Sequence, residues 1–99
     1  MLHTVNKSPF EKNALQSCLT YAKDGSSILL IEDGVYAALE GTKFSETLKK
    51  AMASKSVYAL QPDLEARGVK DKVIEGIKLV DYAGFVDLVV ENDKVQAWL

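Results

Sequence analysis

The chain holds one cysteine, Cys18, and one histidine, His3, so few of its side chains could carry nucleophilic or metal chemistry. A sulfur nucleophile acts as the thiolate and has to reach solvent. Read as a helix from Phe10 to Ala22, the surrounding segment puts Phe10, Ala14, Leu15, Cys18, Leu19, Tyr21 and Ala22 on one half of its surface. Cys18 falls near the middle of that apolar arc, where a free cysteine behaves as a small buried hydrophobe. Glu11, two turns earlier on the same side, would raise rather than lower its pKa. His3 has no second histidine and no nearby cysteine to complete a metal cluster, and is expected to be a satisfied histidine on a strand. Asp33, Asp63 and Asp81 each follow an expected strand and would meet at one sheet edge, as acid–base work requires. Aspartate also suits the turns and helix caps at those places, which is the favoured reading. There is no glycine-rich phosphate loop, and Asn6-Lys7-Ser8-Pro9 offers an anion only one lysine and a helix start, so helix capping accounts for it.

The elements that must position these residues are organised around Ser27 to Leu39. Its first half, Ser27-Ile28-Leu29-Leu30-Ile31, is a continuous apolar run of strand length and predicts a strand buried on both faces, the pattern of a parallel sheet between helices. Asp33-Gly34 turns the chain at the carboxyl end of that strand, the edge where ligands usually bind in open α/β sheets. The short segment Val35 to Leu39 is apolar nearly all round and is expected to pack on both sides. Met1 to Val5 reads as the first strand, and Ser8, Pro9 and Glu11 together form a capping box that starts a helix at Phe10. Ser45 is expected to cap a helix through Ala53, Ser56 to Leu60 to form the third strand, and Asp63 to Arg67 a short helix. The charged stretch from Gly68 to Gly76 has no clear periodicity. Ile77 to Val80 reads as the fourth strand, Asp81 as the cap of a helix from Tyr82 to Glu91, and Lys94 to Leu99 as a fifth strand at a sheet edge. The whole of 1–99 is expected to be one α/β domain: three α/β/α layers around a mainly parallel five-stranded sheet.

Composition narrows the function classes. The 99 residues are 47% hydrophobic and 26% charged, with a net charge of −2, and the lysines are scattered among acids. Broad electrostatic binding of nucleic acid normally needs a basic patch, so none is expected. No apolar run approaches membrane-spanning length, the first residues lack the pattern of a leader, and a lone cysteine suits a reducing compartment; a cytoplasmic protein without membrane contact follows. No metal or cofactor is expected. The apolar Val35–Leu39 segment and the aromatic residues predict obligate association, with Val35, Tyr36, Ala37, Phe44 and Trp98 as interface residues.

The segments Leu2-His3-Thr4-Val5-Asn6-Lys7-Ser8-Pro9-Phe10, Glu32-Asp33-Gly34-Val35-Tyr36-Ala37-Ala38, Asp63-Leu64-Glu65-Ala66-Arg67-Gly68, Val80-Asp81-Tyr82-Ala83-Gly84-Phe85-Val86 and Gln96-Ala97-Trp98 together resemble the DsrH/TusB family, in order and along the whole chain. The resemblance implies a subunit of a cytoplasmic sulfur-relay complex, a heterohexamer with homologous partners of the DsrE/TusD and DsrF/TusC types. Sulfur is carried there as a cysteine persulfide, the principal carrier cysteine lies on the DsrE/TusD partner, and a DsrC/TusE-like protein accepts it. The TusB branch serves 2-thiouridine formation at the tRNA wobble position, and the DsrH branch serves intracellular sulfur oxidation with dissimilatory sulfite reductase. A cysteine in the first helix is a DsrH feature, so Cys18 implies the DsrH branch and, at most, an accessory persulfide role. An independent small-molecule enzyme using the aspartates is the third reading.

Overall fold

A computed structural model describes residues 1–99. Five strands, β1 (Leu2–Val5), β2 (Ser27–Leu30), β3 (Ser56–Leu60), β4 (Lys78–Val80) and β5 (Val95–Trp98), form one sheet in the order β4-β3-β2-β1-β5. Every pairing is parallel, with His3 opposite Ile28 and Gln96, and Ile28 opposite Val57. The fifth strand lies at an edge, as expected. Helices α1 (Ala14–Tyr21), α2 (Ser45–Ala51), α3 (Gln61–Ala66) and α4 (Tyr82–Glu91) alternate with the strands, and the fold is the expected α/β architecture.

The two faces of the sheet are covered unequally. Because side chains alternate along a strand, Val5, Ile28, Leu30, Val57 and Ala59 point to one face. There they join Leu15 and Cys18 of α1, Leu48 of α2, Leu64 of α3, and Ile74 and Ile77 in a core of 14 buried residues. Leu2 and Leu29 point to the other face and meet only Leu88 of α4, with Ile31, Tyr58, Val80 and Phe85 partly buried around them. Val35, Ala37 and Ala38, on a 3-10 segment over Glu32–Ala38, are fully buried in the larger core, so the short apolar stretch is packed on both sides as its composition requires.

Local chemistry moves some boundaries. The helix expected from Phe10 begins at Ala14 instead. Ser8 does cap, but its Oγ accepts the Phe10 N–H at 3.2 Å and its carbonyl accepts from Glu11 and Lys12. Those bonds close an isolated turn and leave Phe10 half-exposed, with its ring edge-on to Phe44 at 5.1 Å. Ser45 is the first helical residue rather than the cap. Its hydroxyl accepts from Thr42 N–H and donates to the Leu39 carbonyl, fastening the preceding loop. The helix after β3 starts at Gln61, two residues before the expected Asp63, with Pro62 in its first turn. Between Gly68 and Gly76 a 3-10 turn at Lys70–Lys72 leads into Val73, which bridges Leu39, and Ile74, which is buried; the charged residues there are its solvent side. No helix is long and apolar enough to cross a membrane.

Candidate functional site

The carboxyl edge of β2 is tightly built. After Ile31 the chain reverses through Glu32, the one non-glycine residue with a left-handed φ, +49°, a conformation that costs on the order of 1 kcal/mol. The Glu32 N–H donates to Asp63 Oδ2 at 2.6 Å, which offsets that cost. Gly34 follows against the β1 strand end, where a Cβ would fall onto the Val5 carbonyl. That carbonyl already accepts the Ile31 N–H at 3.0 Å, so the approach is fixed and only glycine fits.

Asp33 and Asp63 do converge at this edge, but on Arg67 rather than on open space. Arg67 donates from Nη2 and Nε to Asp33 Oδ1 at 2.8 and 3.1 Å, and from Nη1 to the Asp63 carbonyl at 3.2 Å, while its guanidinium lies 6.0 Å from the Tyr36 ring centre. The hydrogen bond to Asp33 holds the guanidinium's pKa above its ordinary value. Asp81 stands apart and caps α4, its Oδ1 accepting the Gly84 N–H at 2.8 Å. Only Asp81 serves as a cap; Asp33 is held by the Arg67 guanidinium, and Asp63 by the Glu32 N–H. No three His, Cys, Asp or Glu side chains come together in a metal-binding arrangement.

Cys18 lies where the helical projection puts it, fully buried in the larger core. Burial pushes its thiol up to about 11, and the positive charge of Lys55 opposes the shift only in part. The charge acting on it is thus Lys55 and not Glu11. At neutral pH about one such thiol in ten thousand is ionised, so in this conformation the group is neither accessible nor nucleophilic. His3 is buried on β1. Its Nδ1 accepts from the Trp98 indole N–H at 3.1 Å, and Tyr21 packs edge-on against both rings. Burial lowers the imidazole's pKa and favours the neutral form.

The expected interface set divides. Val35 and Ala37 have no exposed surface and belong to the chain's own core, which removes them from any interface: an apolar run is equally apolar whether it faces its own sheet or a partner. Tyr36, Phe44 and Trp98 are half-buried. The larger exposed apolar surface is on α4, a helix outside the expected interface set. Leu88, Phe85, Val89, Tyr82, Val86 and Val90 follow one another around about half of its circumference, and only the Leu88–Phe85 end meets the sheet. Tyr82, Val86 and Val90 are 61%, 59% and 78% exposed. The signal was present in the three valines, too many for a helix with a single buried stripe.

Comparison with known proteins agrees with this architecture. The family model described as DsrH like protein matches residues 7–95. Protein TusB of Escherichia coli strain K12 is 39% identical over 98 residues, covering 99% of this chain and all of that one. Protein TusB of Pectobacterium parmentieri is 37% identical over 99 residues with the same coverage. Among solved structures, the ychN protein from E. coli superposes with a TM-score of 0.82 at 18% identity over 97% of both chains. A Methanobacterium thermoautotrophicum protein of unknown function superposes with 0.74 at 13% identity, over 97% of this chain and 96% of that one. The structures share the fold, and the sequence matches, spanning nearly every residue, make this chain a member of the DsrH/TusB family.

Proposed function

We propose that the chain is a TusB-type, non-carrier subunit of a cytoplasmic persulfide-relay complex that moves sulfur toward 2-thiouridine at the tRNA wobble position. Its partners in this reading are homologous subunits of the TusD/DsrE and TusC/DsrF types in a heterohexamer, with a TusE/DsrC-like acceptor. The observation that carries the assembly is the unpartnered α4 surface over the thinly covered face of the sheet, an exposed apolar stripe of the kind that marks protein interfaces. Tyr36, Phe44 and Trp98 are secondary contacts. The chain's own thiol favours a supporting role, since sulfur exchange needs an accessible thiolate and Cys18 is neither.

The sulfur-oxidation branch rested on Cys18 alone, and core packing now accounts for that residue. The full-length relatives at 37–39% identity carry the TusB name, and they favour the tRNA branch. The reading of an independent enzyme using aspartates has no support in a site where Asp33 and Asp63 are held by Arg67 and by the backbone. Co-expression with TusC- and TusD-like chains, followed by native mass measurement, tests the proposal. A mixed hexamer containing two copies of this chain is expected. A monodisperse monomer that ignores both partners would refute it.

A further inference from the structure

We infer that the amino edge of the sheet, opposite the edge considered above, holds a binding site for a small oxyanion built from His3, Ser26, Lys23 and Lys94. A cavity of about 460 Å³ opens where β1, β2 and β5 begin, and its lining includes these four residues together with Met1, Tyr21 and Asp24. His3 is 1% exposed and Ser26 5%. The Trp98 indole donates to His3 Nδ1, so the imidazole proton resides on Nε2. Neither that N–H nor the Ser26 hydroxyl has a partner in the chain. Asn6 Oδ1 is the only side-chain polar atom that is both unpaired and sealed from solvent, so the free His3 Nε2–H and Ser26 Oγ open onto the cavity that they line. Both side chains are almost fully enclosed, so the two donors face whatever fills the cavity, and an anion oxygen there would replace the water that otherwise meets them.

The charge around them selects the sign of that ligand. Lys23 and Lys94 supply two ammonium groups at the wall, and neither makes an ion pair within the chain, whose paired cations are Lys49, Lys55, Arg67 and Lys70. The one acid of the wall, Asp24, has its side chain 88% exposed and lies 3.8 Å from Lys55, so its charge is screened by water and shared with that neighbour. An imidazole N–H, a hydroxyl and two ammonium groups suit the oxygens of a phosphate- or carboxylate-type anion, with the exposed Tyr21 ring beside them for an apolar remainder. The site is independent of the persulfide reading, because it uses no thiol and none of the exposed α4 residues Tyr82, Val86 and Val90 lines it.

The test is titration of the full chain with inorganic phosphate and, separately, with acetate, at constant ionic strength held by chloride. It is followed by the ¹⁵N and ¹H resonances of His3 Nε2–H, unambiguous because the chain has one histidine. A saturable shift with either probe is expected, phosphate and acetate distinguishing the two anion classes, and Lys23→Ala and Lys94→Ala should each raise the midpoint about fivefold. Lys49→Ala, remote from the cavity, serves as the charge control and should leave it unchanged. A response that stays linear with both probes, or one that shifts equally in all three variants, would overturn the inference.

Discussion

Replacing Cys18 by serine separates a core thiol from a sulfur carrier. The sulfur is fully buried among aliphatic side chains, and a hydroxyl placed there without a partner costs about 1–3 kcal/mol. In a helix the serine hydroxyl can bend back to the carbonyl four residues earlier, at Ala14, which lowers the cost to about 1–2 kcal/mol. For a domain of this size that is about 4–8 °C of Tm per kcal/mol. The pH dependence adds a second readout. Burial raises the thiol from its ordinary value of 9.0 to about 11, so the folded chain holds this proton more tightly than the unfolded one. The resulting stabilisation is present in full below pH 9 and is lost as pH rises toward 11; the gap corresponds to about 3 kcal/mol. Urea unfolding followed by Trp98 fluorescence should therefore show the wild type losing its advantage over Cys18→Ser across that interval. Sulfur transfer by the assembled complex should persist in the variant. If Cys18→Ser instead leaves stability unchanged at pH 7, and intact-mass analysis after exposure to a persulfide donor finds one sulfur atom on the wild-type subunit but none on the variant, the thiol is a carrier and the burial argument fails.

Val86→Asp and Val90→Glu, on exposed positions of α4, should abolish co-purification with the partner subunits while changing thermal stability by less than about 0.5 kcal/mol. Val35→Asp, by contrast, buries an unpaired carboxylate and should prevent folding, which circular dichroism of the two sets would distinguish. Gly34→Ala drives a methyl group into the Val5 carbonyl and should destabilise the chain by about 2 kcal/mol or more, read as a fall in urea midpoint; a neutral effect would mean that the edge is not as tightly built as described. Arg67→Gln breaks an ion pair whose Asp33 side chain is 57% exposed, so the loss should stay near 1 kcal/mol and diminish in high salt.

Much of this was legible in the residues. The run Ile28-Leu29-Leu30 announces a strand covered on both faces, and the cap at Asp81 appears where the spacing puts it. The start of α1 departs from the expected Phe10 because Ser8-Pro9-Phe10-Glu11 satisfies the local rule for a helix cap without beginning a helix. The same serine closes a single turn equally well, and the packing of Phe10 against Phe44, a contact between distant segments, decides between them. The site residues were harder. Composition shows that Val35 and Ala37 are apolar but not whose core they fill, and no local pattern reports that Trp98 reaches back to His3. Asp33 and Asp63 share an edge because both follow strands, but Asp81 caps α4 apart from them, and no spacing marks Arg67, at the end of its helix, as the group that holds the pair.

The pairing of β5 beside β1 joins segments more than ninety positions apart, with the Leu2 N–H donating to the Lys94 carbonyl and the indole of Trp98 donating to His3. Closing so long a loop is entropically the most expensive of the strand pairings, and β5 repays it with little buried surface, since Val95, Gln96 and Ala97 are all exposed. This strand should be the first part of the sheet to detach in native-state fluctuations and the last to be captured during folding, with the fastest-exchanging amides among the five strands. Because Lys94 leads into β5 and His3 is pinned by its far end, an anion held at the amino edge would also act as a clasp, slowing hydrogen exchange along β5 out of proportion to its effect on the rest of the sheet.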